Sequence, residues 1–216
     1  MRLILLVLSL SSLLSSCQFS NDVSLDKLND SVPTVASEPA NIDTAKAESD
    51  EGNPQMLALT SNSLQLVDSG SGSTREIAFG MRFDQLVGVV TKVLESAPSS
   101  IAINTECGAG PLKMASWPNG LTLVFAERKH GDSSWLFAGW FVGKPTKVSS
   151  RKMTTMAGIG IGSTVQDLKS AYVATVTKTT LGQEFSVDSG FYGLLSGTGK
   201  NAVIEVMWSG TSCNFR

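Results

Sequence analysis

Few side chains in this 216-residue sequence can do covalent or acid–base chemistry: it has three cysteines (Cys17, Cys107, Cys213) and one histidine, His130. Nucleophilic catalysis needs a base at hydrogen-bond distance and a third group that orients it. Glu127 and Asp132 flank His130 in "ERKHGD", but this stretch reads as a hairpin tip, a solvated place for a general base. The pattern allows Glu184 and Glu205 to lie on neighbouring strands, and a carboxylate pair of the right separation would suit sugar hydrolysis. Solvated strand faces carry such pairs routinely. No G-x-S-x-G elbow occurs. "GIGIGS" at 158–163 lacks the spacing and the lysine of a phosphate loop, and "SGTGKNA" at 196–202 reads as a hairpin turn. Two thiols and one imidazole, without C-x-x-C or H-x-x-x-H spacing, are too few for zinc. The residues thus point to no catalytic group, metal or cofactor. A cell-wall hydrolase using Glu184, Glu205 or His130 is the enzymatic alternative.

Cys17 belongs to a different chemistry. Residues 1–16, "MRLILLVLSLSSLLSS", have one positive charge at Arg2, an apolar run from Leu3 to Leu14, and small residues at the end. The run is roughly 18 Å long as a helix, short of a hydrocarbon core of roughly 30 Å. This is the layout of a secretory signal peptide. Leu14-Ser15-Ser16-Cys17 resembles the lipobox of bacterial lipoproteins: an aliphatic residue, two small residues, then cysteine. The resemblance implies that Cys17 is lipidated on sulfur and begins the mature chain. It further implies a membrane partner through the lipid anchor. Gln18 does not match the aspartate of an inner-membrane retention signal. The implied location is therefore the outer membrane facing the periplasm in a diderm host, otherwise the outer face of the plasma membrane.

Lipidation of Cys17 would leave Cys107 and Cys213 as an even pair in an oxidising compartment, so a Cys107–Cys213 disulfide is expected. Its loop of about a hundred residues corresponds to about 4.7 kcal/mol in the chain-entropy account. Residues 17–55 read as the lipidated cysteine and a disordered acidic linker. After Phe19 the linker has no aromatic residue, and eight acids against Lys27 and Lys46 give it a net charge of −6. Such a composition cannot offset its ordering entropy. As a flexible coil it would span about 35 Å. Residues 56–216 carry a net +3, too mild and scattered for a nucleic-acid partner.

The elements that must position these side chains show one plan twice. "FGMRFDQLVGVV" at 79–90 and "IGSTVQDLKSAY" at 161–172 are each a glycine followed by an amphipathic helix, with Gly80 matching Gly162 and Leu86 matching Leu168. Ser163 and Gln166 are the expected capping box of the second helix. After each helix the hydrophobic period changes to alternation. Pro118-Asn119-Gly120, "RKHGDSS", Asp188-Ser189-Gly190 and "GTGKN" read as turns between strands. The expected fold is α+β: two tandem units, about 79–145 and 152–216, each a helix followed by a three-stranded antiparallel meander, with an extra hairpin before the first. Trp117, Phe125, Trp140, Phe185 and Trp208 are the expected core, and Ala202, Ile204, Val206 and Trp208 are expected to share a face.

On "GIGIGSTVQDLKSAY" and the strands after it, the plan resembles small envelope proteins of helix-plus-meander repeats, such as the β-lactamase inhibitor protein. A single unit is similar to the small lipoproteins of outer-membrane assembly, the SmpA/OmlA type. The combined expectation is a lipid-anchored binding or assembly module of the bacterial envelope, non-catalytic, with an envelope protein or the cell wall as partner. Inhibition of foreign hydrolases such as β-lactamase or lysozyme is a further alternative.

Overall fold

Period-two alternation dominates the chain after Pro54, and strands accordingly outnumber helices. The computed structural model describes residues 54–129, 133–147 and 151–213; residues 1–16, Cys17, the linker up to residue 53 and His130 lie outside them. β1 (Gln55–Leu59), β2 (Ser63–Asp68) and β3 (Thr74–Ala78) lead into α1 (Phe83–Leu94). Then follow β4 (Ser100–Asn104), β5 (Leu112–Ser116), β6 (Leu121–Glu127), β7 (Trp135–Val142) and β8 (Thr154–Thr155). The chain ends with α2 (Val165–Ala171), β9 (Ala174–Thr179), β10 (Gly182–Val187), β11 (Phe191–Leu195) and β12 (Ile204–Gly210). The fold is mixed α+β with two sheets.

The smaller sheet has the order β3-β2-β1-β8, and the larger β4-β5-β6-β7-β12-β11-β10-β9. β2 and β3 are the expected extra hairpin; β1 and β8 were not foreseen. Each run expected to hold three strands holds four. The additions are β4, whose "SIAIN" is almost wholly exposed, and β9, whose "ATVTKT" has few large apolar residues. Both are outermost strands, where alternation is weakest because half of each strand meets solvent.

One core lies between the larger sheet, the two helices and the smaller sheet. It includes Leu86 and Val90 of α1, Leu168 of α2, Leu59 and Leu64 of the smaller sheet, and Phe125, Trp140 and Phe185 of the larger. Burying each such side chain contributes about 1.5–3 kcal/mol. The buried indoles keep their N–H groups satisfied: Trp140 donates to the Thr60 carbonyl at 2.7 Å and Trp117 to the Ser96 carbonyl at 2.9 Å. Two glycines are required by close approach. A Cβ on Gly193 would sit 2.2 Å from the Val206 carbonyl and against the Phe185 ring. Gly120, in the Pro118-Asn119-Gly120 turn, has φ +92° and would meet the Gly143 carbonyl at 2.2 Å.

Both helix starts are tied to strands in the same way. Gly80 N–H donates to Phe137 and Phe137 N–H to Met81, at 2.7 and 2.8 Å. Gly162 N–H donates to Ile204 and Ile204 N–H to Ser163, at 2.8 and 2.9 Å. The α1 start at Arg82 has no side-chain cap. The α2 cap is one residue later than expected. Thr164, not Ser163, accepts from the Asp167 N–H at 3.1 Å, and Asp167, not Gln166, accepts from the Thr164 N–H at 2.9 Å. The Ser163 hydroxyl instead accepts from Gly160 N–H at 3.1 Å.

Bonds from the Thr164 hydroxyl and then its N–H hold the Asp167 carboxyl below its ordinary value of 3.8. A lowered native pKa means the cap is fully present above that value and fades as acid protonates Asp167 below it. Replacing Thr164→Ala is expected to lower stability by about 1 kcal/mol in urea unfolding at neutral pH. Gln166→Ala should change it by under about 0.5 kcal/mol. The reverse ranking would restore the Ser163 and Gln166 cap.

Candidate functional site

The structure separates the two carboxylates that the sequence allowed on neighbouring strands. Glu184 on β10 pairs with Thr177 and Leu194, while Glu205 lies on β12, with β11 between them. Glu184 is buried and Glu205 exposed. They are not cross-strand neighbours, because the parity that put both on alternating strands says nothing about strand order. No group of three or more His, Cys, Asp or Glu side chains that could hold a metal ion occurs among the described residues. No helix among them is long and apolar enough to cross a membrane.

The other expected pair does meet. β12 carries the chain past Gly139, where Thr211 N–H donates to the Ala138 carbonyl at 2.8 Å, and brings Cys213 to Cys107. Both thiols join a small cluster with Leu112, Val124 and Ala126, and they are unbonded here. Asn104 Nδ2 donates to Cys213 Sγ at 3.5 Å. Burial, then the hydrogen bond to Cys107, push the Cys213 thiol up to about 11.

This cluster lies on the face of the larger sheet opposite both helices. Register defines a row across that face: Ser100, Ser116, Thr122, Phe141, Trp208, Tyr192, Ser186, Thr175, one residue from each strand in spatial order. The Ser116 and Thr122 hydroxyls are 2.8 Å apart, as neighbours on one face should be. Three aromatics thus stand together at the centre of the row, flanked by hydroxyls on both sides. Trp208 and Tyr192 stack, with centroids 6.2 Å apart and planes at 22°. Trp208 is only 3% exposed, while Phe141 and Tyr192 are half-buried. Glu184 belongs to the same face, one row from Tyr192.

This arrangement corrects one expected core residue. Trp117, Phe125, Trp140 and Phe185 are in the main core, but Trp208 is buried on the opposite face. The cause is a register shift where Leu194 and Leu195 face Val206 and Ile204. The extra residue, Glu205, turns Ile204 and Met207 into the core and leaves Val206 and Trp208 on the other side. Strict alternation cannot reveal such a bulge.

No family model matches this chain, and neither a curated protein nor a solved structure matches it.

The row was missed at the sequence level because it depends on β7 pairing with β12, strands about seventy residues apart. The usable signal was local: Trp140-Phe141 and Met207-Trp208 are adjacent large residues in strands, so one of each pair must leave the core. In reduced protein, alkylation of Cys213 by iodoacetamide is expected to keep accelerating up to about pH 11. A plateau at the ordinary thiol value of 9.0 would show that the Cys213 thiol is neither desolvated nor hydrogen-bonded to Cys107 in solution.

Proposed function

We propose that this chain is a non-catalytic, lipid-anchored binding or assembly module of the bacterial envelope, and that the helix-free face of the larger sheet receives an envelope-protein partner. The observation that carries the reading is the aromatic row on that face. Tyrosine and tryptophan are enriched among residues that dominate binding energy, because they offer large rigid area and a polar tip. Trp208 forms the floor, and Phe141 and Tyr192 stand half-buried beside it. The surrounding serines and threonines supply hydrogen bonds at little cost in side-chain entropy.

Anchoring rests on the lipobox-like Leu14–Cys17. Two or three acyl chains at Cys17 would hold the protein firmly, since each buried methylene contributes about 0.8 kcal/mol. Export would bring the chain to an oxidising compartment. There Cys107 and Cys213 would give up two protons and two electrons to the disulfide of an exported thiol oxidoreductase, forming their own bond. Their contact supports that pairing. In the exported protein neither residue should then react with maleimide without reductant, and Cys107→Ser should cost about 2–5 kcal/mol. Free thiols at both positions in protein taken from cells would refute it.

Two tandem units underlie the sheet in this reading. Each is a helix followed by four antiparallel strands, at 80–142 and 162–210. The matched bonds at Gly80, Met81 and Phe137 and at Gly162, Ser163 and Ile204 support a repeat more strongly than the weak sequence likeness does. A second reading, an inhibitor of hydrolases, rests only on the helix-plus-meander plan that the sequence suggested, and no solved structure matches this chain. That reading is fold analogy. Assaying the purified protein against β-lactamase and lysozyme tests it directly, and unchanged rates for both would end it.

For the leading reading, a photo-crosslinking residue at Tyr192 in intact cells is expected to capture one reproducible envelope protein. Phe141→Ala or Tyr192→Ala should weaken that complex by about 2 kcal/mol, roughly thirtyfold. The Cys17→Ala protein should leave the membrane fraction and take up no labelled palmitate. Failure to capture any partner at Tyr192, or continued membrane association of Cys17→Ala, would remove the corresponding half of the proposal.

A further inference from the structure

Away from that face, the smaller sheet borders a cleft of about 560 Å³, within the roughly 300–1,000 Å³ usual for binding sites. β1 is paired along its whole length with β2, but on its other side β8 covers only Ala58 and Leu59. Among the described residues, Gln55, Met56 and Leu57 therefore present a strand edge with no neighbour. The chain upstream of β8 does not follow β1. Arg151 is drawn to the end of α1, where its guanidinium bonds to the Val93 carbonyl and pairs with Glu95. The opening between these two stretches is the cleft.

Its walls come from both faces of β1. Leu57, Leu94 and Met153 line the core side, and Met56, with its cross-strand partner Val67, lines the other. Met56 and Met156 are 56% and 57% exposed, unusual for large apolar side chains. Lys152 and Arg151 are the charged residues of the lining.

We propose that this cleft takes an extended peptide segment of a partner, with alternating apolar and acidic side chains, added as a strand beside the free edge of β1. An unpaired edge offers main-chain donors and acceptors that an extended peptide satisfies and an acyl chain does not. Walls on both faces of the strand suit side chains that alternate. Methionines adapt to varied apolar partners, and the exposed Lys152 charge selects acidic residues over basic ones, Arg151 being held by Glu95. This site is separate from the aromatic face and does not depend on it.

The test uses the full-length protein in detergent and a short fluorescent peptide of alternating valine and glutamate, read by anisotropy. It should bind saturably. The counterpart with lysine for glutamate should bind about tenfold more weakly or worse, and one N-methylated at alternate backbone positions should lose binding. Lys152→Glu, on an exposed side chain, should weaken the first peptide by about tenfold while the circular dichroism stays unchanged; Met156→Glu is a second variant for the same reading. Tyr192→Ala should leave peptide binding intact. Each of these results overturns the proposal: no binding of the glutamate peptide, equal binding of the lysine or the N-methylated one, displacement by raised detergent as at an acyl-chain site, or loss of binding in Tyr192→Ala. Self-association that shuts the peptide out would assign the edge to a second copy of the chain and equally overturn it.

Discussion

The ladder between β7 and β12 is the constraint on which the rest of the molecule depends. Four register pairs, Val142 with Met207, Phe141 with Trp208, Trp140 with Ser209 and Gly139 with Gly210, join strands β4–β7 to strands β9–β12. Without them the larger sheet would be two sheets of four, each with an additional exposed edge. The ladder makes one continuous core, because Val142 and Met207 are neighbours on the helix side. The same four pairs set Phe141 beside Trp208 on the other side and send the chain on toward Cys107. Core, aromatic row and thiol contact are three consequences of one register.

The smaller sheet is held to this ladder by polar contacts at its centre. Trp140 donates to the Thr60 carbonyl, and the buried Ser209 hydroxyl lies between the carbonyls of Ser61 and Gly190. Trp140 and Ser209 are themselves a register pair of the ladder. The turn between β1 and β2 is therefore fixed, while among the described residues the far end of β1 pairs with β2 alone. A strand clamped at one end and open-edged at the other is why the cleft sits at Gln55–Leu57 and not elsewhere along β1. The Arg151–Glu95 pair ties the opposite wall to the end of α1, where Glu95 adopts the left-handed conformation, with φ 52°.

Local signals in the sequence were sound where the residues themselves carry the instruction. Pro118-Asn119-Gly120 and Asp188-Ser189-Gly190 are turns; Leu86 and Leu168 do face the core; Trp117, Phe125, Trp140 and Phe185 are buried as their alternation demands. Errors arose where a neighbour decides. β4 and β9 went unseen because an outermost strand exposes residues such as Ile101 and Ile103 that a central strand would bury. Trp208 was placed on the wrong face because the bulge at Glu205 shows only against β11. The cap moved by one residue because Thr164 and Asp167 form as good a box as Ser163 and Gln166, and the bridge from Thr164 to Val203 chooses between them. The aromatic row could not be read from the chain, since pairing of strands so distant in sequence is a tertiary property.

Period two also binds the candidate surface to stability. Every residue of the aromatic row is adjacent in sequence to a core residue: Phe141 to Trp140 and Val142, Trp208 to Met207, Tyr192 to Phe191. A slip of one position in β12 would bury Trp208 among the helices and drive Met207 outward. The positions of Phe141 and Tyr192 are consequently fixed by the fully buried side chains beside them, not by contacts within the row. A surface held in this way is preorganised, so little ordering entropy is lost when a partner arrives. Truncating Phe141 or Tyr192 removes contact area while leaving the ladder intact, whereas truncating Trp140 or Met207 acts on the ladder itself. Binding and folding are thus separable by single-residue parity along the same two strands.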